Sequence, residues 1–187
     1  MAFTGKTAII TGGGSGIGRA CALGLGKQGA RVAVWDVNGA NAASVADEVK
    51  DLGVRALPVR IDVSKFEQIE AATRRTLDEF GRTDILVNCA GGSRPTTVDA
   101  GEDFWEEAFA LNFTSARRLT TALLPGMRLR RWGRIVNISG TMEPRGLNAA
   151  VAAKAALHLW AKGLACEVAA EGVTVNTIQP GRINSEQ

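Results

Sequence analysis

Six short apolar runs, separated by five longer stretches of helical periodicity, set tight limits on what this chain can fold into. The runs are Thr7–Thr11, Arg31–Trp35, Ala56–Ile61, Asp84–Asn88, Arg134–Ile138 and Val173–Ile178. Each is nearly continuous in β-branched and aliphatic residues, as expected of strands covered on both faces. The helical stretches fall near Ile17–Lys27, Ala40–Leu52, Phe66–Phe80, Asp103–Arg131 and Asn148–Ala170. Within Phe66–Phe80, the apolar residues Phe66, Ile69, Leu77 and Phe80 mark the expected buried stripe. Strands joined by helices imply right-handed crossovers. The expected fold is therefore a single α/β domain over residues 1–187, a doubly wound parallel sheet with helices on both faces.

Composition excludes several other classes. The chain is 45% hydrophobic, which is enough to fill a core, so wholesale disorder is not expected. No apolar run approaches the roughly 20 residues that cross a bilayer, so no membrane partner is expected. Net charge is +3, with basic residues spread along the chain, so no nucleic-acid partner is expected either. One local cluster, Arg128 to Arg134, reads as a solvated helix end. The three cysteines (Cys21, Cys89, Cys166) are far apart, and His158 is the lone histidine, so no metal site of the zinc type is expected. An odd cysteine count, with no signal-like segment at the start, points to the cytoplasm. The sequence contains no tyrosine.

The segment from Thr11 to Gly18 (TGGGSGIG) lies between the first strand and the first helix. Glycines there permit a tight turn and let backbone N–H groups approach a pyrophosphate at the helix N-terminus. Gly12, Ser15, Gly16, Ile17 and Gly18 are the expected cofactor-binding residues of this loop. A second G-x-G-x-x-G, at Gly24, Gly26 and Gly29, follows no strand, and reads as helix–sheet packing and a helix end. Asp36 ends the second strand, where a carboxylate accepts hydrogen bonds from an NAD ribose. The same charge would repel a 2′-phosphate, so NAD is favoured over NADP.

Taken together, these residues resemble the short-chain dehydrogenase/reductase family over essentially the whole chain. Thr11-Gly12-x-x-x-Gly16-x-Gly18 is similar to the family's cofactor loop, which implies a Rossmann-like domain. Asp62-Val63 is similar to the pair that holds the adenine ring, and Asn88-Cys89-Ala90-Gly91 to the Asn-Ala-Gly motif. Asn112 resembles the helix asparagine that supports a proton-relay water. Lys154 resembles the lysine that binds the ribose, and Pro180-Gly181 the turn after the sixth strand. The resemblance assigns cofactor contact to Asp62, Val63, Asn88, Ala90, Gly91, Lys154, Pro180 and Gly181.

The family's catalytic tyrosine stands four residues before this lysine. Ala150 occupies that position here, and an alanine cannot transfer a proton. The family's serine often falls where Gly140 stands, so Ser139 or Thr141 is the candidate hydroxyl. The resemblance implies an NAD(H)-dependent oxidoreductase acting on a carbonyl or secondary alcohol, with a 3-oxoacyl compound as the best-matched substrate. Its candidate catalytic residues are Lys154, Asn112, Ser139 and Thr141. The proton would come from Ser139, Thr141, a water held by Asn112 and Lys154, or the substrate itself. The alternative is an NAD-binding pseudoenzyme with a regulatory or assembly role. His158 reads as a packed or interface residue, and Glu143 as a solvated loop residue. Leu157, Trp160 and Leu164 share one helix face, and the resemblance implies a homodimer or homotetramer. The sequence ends at Gln187, and the resemblance places a further strand and a substrate loop beyond it.

Overall fold

In the computed structural model, which describes residues 1–181, six parallel strands form one sheet in the order β3-β2-β1-β4-β5-β6. The strands are β1 (Thr7–Thr11), β2 (Arg31–Asp36), β3 (Ala56–Arg60), β4 (Ile85–Asn88), β5 (Gly133–Ile138) and β6 (Val173–Ile178). The helices are α1 (Gly16–Lys27), α2 (Gly39–Lys50), α3 (Phe66–Phe80), α4 (Glu102–Phe109), α5 (Ser115–Leu129) and α6 (Ala149–Val168). The order reverses between β1 and β4, the point at which such sheets bind ligands beyond their strand ends. The expected strand and substrate loop past Gln187 fall outside the described residues.

Period-two alternation divides each strand between two cores. Ile9, Trp35, Leu86 and Ile135 join a cluster with residues of α3, α5 and α6. Ala8, Ile10, Val32, Val34, Ile85 and Val87 join a second cluster with α1 and α2. This is why the central strands read as continuously apolar rather than alternating. At β6 the pattern changes: Val173 and Val175 are buried, whereas Thr174, Asn176 and Ile178 are exposed.

Three local expectations need correction. The long helix expected over Asp103–Arg131 is interrupted by a π turn at Ala110–Thr114. Phe66 and Leu77 lie at the rim of α3 rather than in the core, while Thr73 and Thr76 are buried in the stripe. Thr76 is satisfied there by Trp35, whose Nε1 donates to its Oγ1 at 3.2 Å. The basic cluster is more engaged than a solvated helix end. Arg130 donates to Thr83 O at 2.6 Å, and the Arg134 guanidinium lies 4.5 Å from the Trp132 ring centroid.

The second glycine triplet carries no ligand geometry. Gly26 faces Leu52, Val49 and Val54, so it serves helix–helix rather than helix–sheet packing, and Gly29 takes the left-handed conformation past the end of α1. Among the described residues, no helix is long and apolar enough to cross a membrane, and no group of three or more His, Cys, Asp or Glu could hold a metal ion.

Candidate active site

A cleft of about 660 Å3 opens beyond the carboxyl ends of the strands at the reversal point. The glycine loop forms one wall. Gly12 has φ +63°, and a Cβ there would stand 3.0 Å from the Ala90 backbone. A Cβ on Gly18 would stand 2.0 Å from Gly12 O, so only glycine lets α1 begin this close to β1. Ser15 precedes α1 in an extended conformation, and its side chain makes no capping hydrogen bond. The first N–H groups of α1 are thus left for an anion at the cleft. Gly18→Ala is expected to lower stability by about 1–3 kcal/mol through this backbone overlap, and urea unfolding checks it.

Asp36 stands at the outer end of the loop. Its Oδ2 accepts from Gly14 N and its Oδ1 from Asn38 N, both at 2.9 Å. These bonds fix the carboxylate against the glycine loop and across from Ile17 and Gly18, which also line the cleft. Asp62 follows β3, and its Oδ1 accepts from the Ser64 amide and hydroxyl at 2.9 and 2.7 Å. Val63 packs beside it, and both residues face the cleft.

The floor is the segment after β4. Thr11 Oγ1 accepts from both Cys89 N and Ala90 N at 3.1 Å, tying this segment to the end of β1. Ala90 and Gly91 line the cleft, but Asn88 does not. Asn88 is buried in the sheet and donates to Asn137 Oδ1 at 2.8 Å, so it supports the floor from below. A Cβ on Gly91 would stand 2.8 Å from Asn112 Oδ1 and 3.0 Å from Lys154 Nζ. The glycine therefore lets these two side chains converge on the floor. Asn112 sits in the π turn, where it donates to Ala108 O at 3.0 Å and accepts from Gly92 N at 3.1 Å. Inserted turns of this kind re-aim side chains at functional sites.

The far wall is the start of α6. Asn148 caps this helix, accepting from Ala150 N at 3.0 Å and from Arg94 N at 3.2 Å. Pro95 and Asn148 form an antiparallel bridge, and Ala149 N donates to Arg94 O at 3.0 Å. The Arg94 guanidinium pairs with Glu107 at 3.2 Å at the cleft mouth. Ala150 is buried, presenting only a methyl group. One turn on, Lys154 Nζ donates to Ile138 O at 2.9 Å. Burial lowers its pKa from 10.5 to about 8. Burial likewise pushes the Cys89 thiol up to about 11.

The fold brings most of the expected residues to this one cleft: Gly12, Ser15, Gly16, Ile17 and Gly18 on one wall, with Lys154, Ser139 and Pro180 on the other. Ser139 is buried, and its Oγ donates to Lys154 O at 3.3 Å. Thr141 is not part of the cleft; it is exposed, and its Oγ1 exchanges hydrogen bonds with the Glu143 backbone at 3.1 and 3.3 Å. Gly181 is exposed and lies off the lining, as does His158. The sequence reading missed Arg94, Glu107, Trp35 and Asn148. An asparagine just before an apolar helix is a capping signal that could have flagged Asn148. Arg94 arrives through non-local pairing and has no local signature.

The chain as a whole has counterparts among known proteins. A 3-oxoacyl-acyl-carrier-protein reductase of Vibrio cholerae is 40% identical over 191 residues, spanning 100% of this chain and 77% of that protein. The D-beta-hydroxybutyrate dehydrogenase of Cupriavidus necator is 40% identical over 96% of this chain and 71% of its own length. The crystal structure of L-sorbose reductase from Gluconobacter frateurii, complexed with NADPH and L-sorbose, superposes with a TM-score of 0.93. That pair is 35% identical, covering 99% of this chain and 73% of the reductase. The profile of the family described as short chain dehydrogenase matches residues 6–187. With the fold, the relatives and the profile in agreement over almost the whole length, the chain belongs to the short-chain dehydrogenase family of oxidoreductases.

Proposed function

We propose that the chain is an NAD(H)-dependent oxidoreductase that moves a hydride between nicotinamide and a carbonyl or secondary alcohol. The observation that carries this reading is the single cleft joining the glycine loop and Asp36 at one end to Ser139 and Lys154 at the other. A dinucleotide fits these residues, because Gly12 and Gly18 leave space no Cβ could share and the start of α1 is uncapped by a side chain. Gly16, Ile17 and Gly18 would hold the pyrophosphate, Asp36 the adenosine ribose, and Asp62 with Val63 the adenine. Ala90, Gly91 and Pro180 would flank the nicotinamide half, and Lys154 would bind its ribose. The nicotinamide supplies or accepts the hydride. Ser139 then orients the substrate oxygen, and Asn112 holds the floor against which Lys154 rests.

The names of the relatives point to a 3-oxoacyl compound or a small 3-hydroxy acid as substrate. The reading also takes the protein to be cytoplasmic, from its odd cysteine count, and a homodimer or homotetramer, as the family resemblance implies. NAD is preferred because Asp36 is held against the glycine loop at the end of β2, where its charge would repel a 2′-phosphate. NADPH bound to L-sorbose reductase is the competing possibility.

Titration with NADH and NADPH, followed through emission of Trp35 in the cleft wall, tests the cofactor. NADH is expected to bind at least about tenfold more tightly, from one charge repulsion of roughly 1.4 kcal/mol. Asp36→Asn is expected to erase most of that preference. Equal or tighter NADPH binding by the unaltered protein would overturn the choice of NAD. A second reading, an NAD-binding pseudoenzyme, is favoured by one observation, the alanine at position 150. It predicts NADH binding with no turnover of carbonyl compounds.

A further inference from the structure

The chain has no tyrosine, and Ala150 presents only a methyl group to the cleft. Another group on the cleft wall must therefore hold the proton if the reaction runs. The ionisable side chains that line the cleft can be taken in turn. Asp36 and Asp62 lie at the adenosine end with their oxygens accepting backbone or serine hydrogens. Glu107 is at the mouth, exposed and paired with Arg94. Cys89 packs against the second apolar cluster, and that burial also raises its thiol pKa to about 11. Lys154 remains.

Three geometric facts favour it. Its ammonium has three hydrogens and makes one hydrogen bond, to Ile138 O, so two remain, one for a ribose hydroxyl and one for a substrate oxygen. It forms no ion pair among the described residues, so no carboxylate holds its proton in place. It also lies one helical turn from Ala150, on the same face, with nothing larger than a methyl group at that position. The charged groups around it are few: Cys89 on the floor, with Arg94 and Glu107 at the mouth.

We propose that Lys154 is itself the proton donor, delivering a proton from Nζ to the oxygen of the carbonyl being reduced. This rests on the oxidoreductase reading above. The carbonyl carbon accepts a hydride and its electron pair from dihydronicotinamide, which is oxidised. The carbonyl π pair moves to oxygen, the Nζ–H bond breaks, and an O–H bond forms. A neutral amine remains on Lys154 and is reprotonated from solvent. In the oxidative direction the neutral amine accepts the alcohol proton.

The test uses Lys154→Met and Lys154→Arg, with NADH and the 3-oxo probes acetoacetate and ethyl acetoacetate. At saturating NADH both variants are expected to lose about 10²–10⁴-fold in reduction rate, the range for a positioned acid, and Lys154→Met to bind NADH more weakly for want of the ribose contact. Arginine keeps the charge but cannot give up a proton, so it separates proton donation from ribose binding. Methylamine is expected to restore part of the activity of Lys154→Met. A readout independent of turnover is the titration of the Lys154 Nζ signal in protein labelled with 15N-lysine. Its midpoint should lie near 8 and coincide with the pH above which reduction falls tenfold per pH unit. Active Lys154→Arg, or a midpoint near 10.5, would overturn the proposal and leave the oxidoreductase reading standing. NADH binding by the unaltered protein with no turnover of either probe would overturn both.

Discussion

Lys154→Met is expected to make the protein more stable at neutral pH while removing its turnover. In the folded chain this side chain is partly buried, with no carboxylate paired to it among the described residues, and burial lowers its pKa from 10.5 to about 8. Folding must therefore hold a charge in a poorly solvating site. A tenfold change in proton affinity corresponds to about 1.4 kcal/mol, so the penalty is up to about 3 kcal/mol. The direction with pH follows from proton counting. Between about 8 and 10.5 the unfolded chain keeps the proton that the folded chain has lost, so stability rises as pH rises through that window. Below 8 both states carry the proton and the penalty is fully present. Methionine removes the penalty and also the hydrogen bond to Ile138 O, worth about 1 kcal/mol. The net gain expected at pH 7 is about 1–2 kcal/mol. Urea unfolding at pH 7 and pH 9.5 checks this: the gap between the two proteins should narrow at the higher pH. A gap that is absent at pH 7 would show that the buried charge costs nothing.

Asp84→Ala is expected to cost about 3–5 kcal/mol, among the largest losses available to a single substitution. Asp84 is fully buried at the start of β4, at the opposite end of the sheet from the cleft. Its Oδ2 accepts from Thr7 N at 3.0 Å and from Arg82 Nε at 2.8 Å, and Arg130 Nε lies 3.6 Å from its Oδ1. The carboxylate thus joins the first residue of β1 to two guanidinium groups. Alanine would leave an unsatisfied amide and two partly buried cations without their anion. The loss should show in the urea midpoint, with NADH affinity of the folded fraction unchanged. A variant that unfolds normally but binds NADH poorly would contradict this separation of stability from the cleft.

The strands and helices were largely legible because periodicity and glycine agree along most of the chain. Phe66–Phe80 and Val173–Ile178 coincide with their expected bounds. Asp36 was legible because a strand end is a local feature, and the glycine loop because its spacing follows from close backbone approach. What sequence could not reveal depended on register or long-range pairing. The π turn at Ala110–Thr114 rotates the helix face by about 100°, but neither a proline nor a glycine within it marks where the shift falls. Phe66 reads as core, yet it is half-exposed beneath the Arg118 guanidinium, 4.6 Å from its ring centroid. Asn88 carries the family's motif but faces Asn137 across the sheet rather than the cleft. Which of Ser139 and Thr141 reaches the cleft was equally open, and the two-residue difference decides it by turning one inward and one back upon its own loop.

The bridge between Pro95 and Asn148 bears on how this domain tolerates insertions and deletions. Residues 141–147 form an exposed loop whose two ends are held independently. Ser139 N donates to Ile178 O at 2.9 Å on one side, and Asn148 is tied to Arg94 and Ser93 on the other. Chain length between two fixed points enters stability only logarithmically, at about 0.6 kcal/mol per doubling. The span can therefore be short in one protein and long in another while Ala150 and Lys154 keep their stations. Length variation is thereby partitioned away from chemistry, into a loop that lies beside the cleft rather than in its lining.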